Sequence, residues 1–178
     1  MKSTIHLLET ERLLLREFVC SDDIGMFELD SNPKVHLYLG NRPVLTIEES
    51  RLYIANLKQQ YKDNGVGRWA VILKETNEFI GWSGIKLIKE SINEHHHFYE
   101  IGYRLIEKHW GNGFATEAGL AFINHAFNNL NVTALYAYAD ANNKESRRIL
   151  EKLGLRYINT FELESEEHVW YEIKNPKE

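Results

Sequence analysis

The chain has 178 residues, 43% of them apolar and 26% charged, with three prolines and a net charge of −5. That balance fits one folded domain over residues 1–178, excludes a disordered chain, and supplies no positive field to gather nucleic acid. No apolar run reaches the ~18 residues of a membrane helix. The opening Met1-Lys2-Ser3-Thr4-Ile5-His6 lacks the apolar core of a secretory signal, and the single cysteine, Cys20, has no intramolecular partner, so a cytoplasmic location is the expectation.

In chain order, Glu11 to Val19 alternates as a strand. Ser21-Asp22-Asp23 then offers N-cap chemistry for a short helix through Leu29, closed before Asn32-Pro33. Thr46 and Glu49 have capping-box spacing, and Ile47, Tyr53, Ile54 and Leu57 carry a helix to about Tyr61. Asn64-Gly65 and Gly67 break the chain before a strand over 69–73. A turn at 75–78 returns it as a strand over 79–88, and a polar turn at 94–97 leads to another over 98–105.

From Gly113 to Leu130 the period becomes helical, with Ala115, Ala118, Phe122, Ala126 and Leu130 on one face. A strand over 133–139 follows, then a helix from Asn142 to Leu153 stopped by Gly154, then strands over 156–163 and 168–174. The order β-α-α-β-β-β-α-β-α-β-β predicts an α+β fold with a mixed, mostly antiparallel central sheet flanked by helices. The unit from Tyr99 to Ala139 should add a parallel pairing through a right-handed crossover.

Chemistry concentrates in Trp110-Gly111-Asn112-Gly113-Phe114-Ala115-Thr116-Glu117-Ala118, between a strand and a helix. Glycines at alternate positions allow a tight turn and close approach of a ligand. The unpaired N–H groups of the next helical turn, with the helix dipole, form an anion site suited to a phosphate or pyrophosphate. Two familiar glycine motifs do not fit. Ala115 and Thr116 leave a dinucleotide-binding G-x-G-x-x-G without its third glycine, and no lysine follows Gly113 as a Walker loop requires.

The segment resembles the pyrophosphate-binding motif of the GNAT acetyltransferases, R/Q-x-x-G-x-G/A. Trp110 stands where Arg or Gln is usual, Gly113 at the middle glycine and Ala115 at the last position. Trp followed by G-x-G-x-A-T-E-A is similar to the branch of bacterial ribosomal-protein N-terminal (serine/alanine) acetyltransferases. Glu9 to Arg16, Glu100-Ile101-Gly102-Tyr103, and Asn142 to Leu155 resemble further segments of that branch, with Leu155 in place of Phe.

The resemblance implies acetyl-CoA as co-substrate and an amine acceptor, for this branch a ribosomal-protein N-terminus. Gly111, Asn112, Gly113, Phe114, Ala115 and Thr116 would hold the coenzyme pyrophosphate. The backbone of Gly102, Tyr103, Arg104 and Leu105 would pair with the pantetheine arm, Asn142 would bond the same arm, and Lys144 or Arg147 would meet the ribose phosphate. Glu100 is the candidate base, and an ion pair or exposed strand end is its structural alternative. Ser146, taken as one helical turn from Asn142, is the candidate proton donor to the departing thiolate. Its alternative is a backbone-bonded helix serine, and Tyr103 is a second candidate donor.

Adjacent histidines on an extended segment point to opposite faces, so His95-His96-His97 is not expected to bind metal. Trp69, Trp82, Phe98 and Trp170 read as core or pocket walls. Acetylation of a small-molecule amine, and a non-catalytic acyl-CoA-binding module, remain as other readings. The oligomeric state is not readable from the sequence.

Overall fold

The structure, a computed structural model, describes residues 7–177. Met1 to His6, the segment read for a targeting signal, lies outside the described residues, as does Glu178. Eight strands, β1 (Leu7–Glu9), β2 (Leu13–Arg16), β3 (Arg68–Leu73), β4 (Glu78–Ile88), β5 (Phe98–Leu105), β6 (Ala134–Asp140), β7 (Arg156–Leu163) and β8 (Glu166–Lys174), form one sheet in the order β1-β2-β3-β4-β5-β6-β8-β7. Four helices, α1 (Asp23–Asp30), α2 (Ile47–Asn64), α3 (Phe114–Asn129) and α4 (Lys144–Lys152), cover it. Every pairing is antiparallel except β5 with β6, the predicted parallel one.

Two departures from the sequence reading have local causes. The strand expected over 11–19 is paired only over Leu13–Arg16. Before it, Thr10 N–H bonds the Leu13 carbonyl in a turn that brings in the unforeseen edge strand β1. After it, the buried Asp22 carboxylate draws the chain off the sheet, accepting from Val19 N–H at 2.8 Å and from the Arg16 guanidinium at 2.8 Å. The last helix begins at Lys144 and not at Asn142, because the Asn143 side chain caps it by accepting from Ser146 N–H at 3.0 Å.

Strand alternation sorts the core. Ile101 and Leu105 of β5 bury against Ala118, Phe122 and Leu150 of α3 and α4. On the opposite face, Met26, Leu29, Ile54 and Leu57 of α1 and α2 pack with Ala70, Ile72 and Trp82. Farther along that face, Phe98 and Trp170 meet Tyr136, Tyr138 and Phe161 in an aromatic cluster. Among the described residues no helix is long and apolar enough to cross a membrane.

The sheet has one interruption. β5 is paired with β4 along its whole length, from Phe98 opposite Ile88 to Leu105 opposite Gly81. Its parallel partner β6 is in register only where Glu100 meets Tyr136. From Ile101 to Leu105 the β6 side of β5 therefore carries no strand partner. This wedge narrows to Glu100 and opens toward the glycine loop that follows Leu105.

Candidate active site

The wide end of the wedge is shaped by the loop ahead of α3. The Trp110 indole N–H donates to the Leu105 carbonyl at 2.7 Å, tying the loop to the end of β5. Gly111 and Gly113 sit at φ +76° and +81°, where a side chain is strained. An added Cβ at Gly111 would meet nothing, so backbone conformation and not crowding demands glycine there. Gly113 is the N-cap of α3, and no side chain caps the first turn. The amides leading through Phe114, Ala115 and Thr116 thus begin a helix whose positive end faces out of the loop.

Glu100 lies at the point where β5 and β6 part. Its carboxylate accepts from Arg68 Nη2 at 2.7 Å, and both side chains are largely buried. Arg68 Nη1 also donates to the carbonyls of Gly84 at 2.6 Å and Glu100 at 3.0 Å. The guanidinium lies 5.1 Å from the centre of the Trp82 ring. Gly102 makes room for it, since a Cβ there would stand 2.8 Å from Arg68 Nη2. Glu100 therefore has a partner, and it is held in one orientation at the apex of the wedge. Beside it, Arg104 Nη1 donates to Asp30 Oδ1 at 2.6 Å, and His36 Nε2 stands 3.6 Å from the same oxygen.

The other face of β5 has different chemistry. The Tyr103 hydroxyl donates to the Ser146 carbonyl at 2.9 Å and lies 3.1 Å from Ser146 Oγ, joining the two candidate proton donors. Burial pushes the Tyr103 phenol well above its ordinary range, opposed by the bond to Ser146, so it stays protonated at neutral pH. Asn142 is exposed in the turn before α4. Arg147 folds back, donating to the Ala141 carbonyl at 3.0 Å and to Tyr171 Oη at 3.4 Å.

Arg68, Tyr138, Asp30 and His36 carry no signal in the sequence, and Arg104 is marked there only through its backbone. Tyr138 stacks on Trp170 with ring planes 3° apart, and its phenol is pushed up to about 12. Burial is the main cause, then the charge of Glu100, with Arg68 opposing and Glu164 and Glu90 adding. His95 packs on Trp170 at 4.9 Å between ring centres, and it serves the aromatic cluster. Trp69, Trp82, Phe98 and Trp170 are all buried. Among the described residues no group of three or more His, Cys, Asp or Glu is placed to hold a metal ion.

A sequence model of the acetyltransferase (GNAT) domain matches residues 12–156. An N-acetyltransferase of Bacillus subtilis, YoaA, is 31% identical over 150 residues, covering 84% of this chain and 82% of its own. The Bacillus subtilis protein YkkB is 32% identical over 169 residues, 94% of this chain and 95% of its own. The crystal structure of a GNAT-family acetyltransferase from Bacillus anthracis superposes with a TM-score of 0.80 at 26% identity, over 96% of this chain and 99% of that one. The family match and these relatives define an acetyl-CoA-dependent N-acetyltransferase. The chain belongs to the GNAT family, in which acetyl-CoA is the co-substrate.

Proposed function

We propose that the protein transfers an acetyl group from acetyl-CoA to a primary amine, with the α-amine of a peptide or protein N-terminus as preferred acceptor. The observation that carries this reading is the wedge between β5 and β6, with Glu100 at its apex and the uncapped start of α3 at its mouth. The free edge from Ile101 to Leu105 is four residue steps, about 13 Å of strand, with backbone groups directed into the gap. As an added strand, the pantetheine amides would pair with Ile101, Tyr103 and the Leu105 N–H, whose backbone groups face the gap, while those of Gly102 and Arg104 are spent on β4. The amides from Gly111 to Thr116 would hold the pyrophosphate. Asn142 follows the end of β6 at Asp140 and would bond the same arm, and Arg147 or Lys144 would need to swing outward to meet a ribose phosphate.

Acetyl-CoA supplies the activated acyl group, and the residues of the chain position it and manage protons. Glu100 is on the α1–α2 face, oriented by Arg68, where it would accept the proton of an attacking amine directly or through water. Tyr103 and Ser146 are on the α3–α4 face, where either hydroxyl would donate to the thiolate that leaves. The strand thus separates proton acceptance from proton donation.

At neutral pH an α-amine, with a pKa near 7.7–8.0, is deprotonated far more often than lysine near 10.4, so one carboxylate suffices to manage its proton. The exposed Glu162, Glu164, Glu166 and Glu167 surround the β7–β8 turn, and Glu164 acts electrostatically on Tyr138, on the same face as Glu100. That placement suits a basic acceptor. A structure described as a ribosomal-protein-S5-alanine acetyltransferase from Vibrio fischeri shares the fold, with a TM-score of 0.77 at 20% identity over 96% of this chain and 97% of that one.

The test compares a basic N-terminal peptide, the same peptide with its α-amine blocked and an internal lysine retained, and spermidine, which the acidic turn suits equally. The free peptide should react fastest. Equal rates for the blocked peptide or for spermidine would remove the α-amine preference. Absence of coenzyme A release with any amine would favour a non-catalytic acyl-CoA-binding module.

A further inference from the structure

Glu117 stands in the first turn of α3, four residues after the Gly113 N-cap. A bare carboxylate there would compete with any bound anion for the positive end of the helix. Instead it is surrounded by donors. Its Oε1 accepts from the Thr10 hydroxyl and, at 2.9 Å, from Arg12 N–H, while Oε2 accepts from Arg12 Nε at 2.7 Å and is paired with Arg12 Nη2 at 2.7 Å. Burial works against ionisation of Glu117, but the Thr10 and Arg12 bonds outweigh it and hold the carboxyl below its ordinary range.

The same guanidinium has a second contact. Arg12 Nη1 donates to the Asn112 carbonyl at 3.0 Å, and its carbon lies 4.5 Å from the centre of the Phe114 ring. In a planar trans peptide the carbonyl and the next N–H point in opposite directions. Fixing the Asn112 carbonyl toward Arg12 therefore turns the Gly113 N–H away from it, out of the loop.

We infer that Arg12 is a positioning residue of the coenzyme site, neutralising Glu117 and holding the Asn112–Gly113 peptide with its N–H presented to the pyrophosphate. The inference rests on the coenzyme reading given above and extends it to two residues outside the glycine loop. A fork that reaches a carboxylate and a carbonyl at once is a task for arginine and not for lysine.

Calorimetric titration of coenzyme A into the full chain tests it, with melting temperatures recorded alongside. Arg12→Gln leaves Glu117 charged and should weaken coenzyme A by about tenfold, with the loss falling on the KM for acetyl-CoA and not on kcat. Adding Glu117→Gln to Arg12→Gln removes the exposed charge and should recover affinity to within about threefold of the wild type. Arg12→Lys keeps the charge but cannot span both acceptors, and it should lose a few-fold. An ion pair serving the fold alone would lower the melting temperature and leave affinity untouched. That result in Arg12→Gln or Arg12→Lys, or a double variant no better than Arg12→Gln, would overturn the inference. Failure of the wild-type protein to bind coenzyme A would overturn the coenzyme reading itself, and this inference with it.

Discussion

The two edges of β5 show what one strand can do with and without a partner. Toward β4 it is paired along its whole length, and that edge is structural. Toward β6 it is paired at Glu100 alone, and there the unpaired backbone, the glycine loop and the candidate proton-handling groups collect. Unpaired buried backbone is costly, so a fold that keeps such an edge within its sheet gains from a ligand that completes the pairing. The two faces of β5 divide the chemistry further, with Arg68–Glu100 and Arg104–Asp30 on one and Tyr103–Ser146 on the other.

The largest effect is expected at the apex of the wedge. Glu100→Gln should reduce turnover by about 10²–10⁴-fold and weaken coenzyme binding much less. A loss under about threefold, read from steady-state kinetics, would leave Glu100 only its structural pairing with Arg68. At the mouth of the wedge, Gly113→Val places a β-branched residue at φ +81°. Strain of about 1–3 kcal/mol should abolish most of the rise in melting temperature that coenzyme A produces, while the unliganded protein remains folded. An unchanged thermal shift would remove the loop from the coenzyme site.

On the opposite face, Tyr103→Phe and Ser146→Ala should each lower kcat by about tenfold if the paired hydroxyls supply the thiolate proton, and the double variant should lose little more than the worse single one. Losses that multiply would show two separate roles, and changes confined to melting temperature would reduce the pair to packing.

The smallest effect concerns the Asp30–His36–Arg104 group. Burial, then the Arg104 charge, lowers the His36 pKa below its ordinary value of 6.5, with Asp30 opposing. Below that pH the unfolded chain takes up a proton that the folded chain does not. Stability should therefore decline as pH falls from about 6.5, and His36→Gln should flatten the decline in denaturant titrations. An identical slope in the variant would show that other groups set it.

What could be read from the sequence followed local pattern. The apolar face of α3 through Ala115, Ala118, Phe122 and Ala126, the strands around Trp69 and Phe98, and the glycine turn at 111–113 all carry their signal within a few residues. The edge strand β1 is three residues long and has no period to detect. Ion pairs that join distant segments were not legible either. Arg68 reaches Glu100 from 32 residues away, Arg104 reaches Asp30 across 74, and Arg12 reaches Glu117 across 105. Each is an ordinary surface residue until the fold brings its partner near. The Asn142 helix start failed for a subtler reason, since two successive asparagines offer equivalent caps and the structure uses the second.

Amide hydrogen exchange with and without coenzyme A reports whether the coenzyme completes the open edge of β5. Protection should rise in two places, the segment from Ile101 to Leu105 and the first turn of α3, while the β7–β8 hairpin exchanges as before. Coenzyme binding with unchanged exchange across Ile101 to Leu105 would show that the coenzyme leaves this edge unpaired.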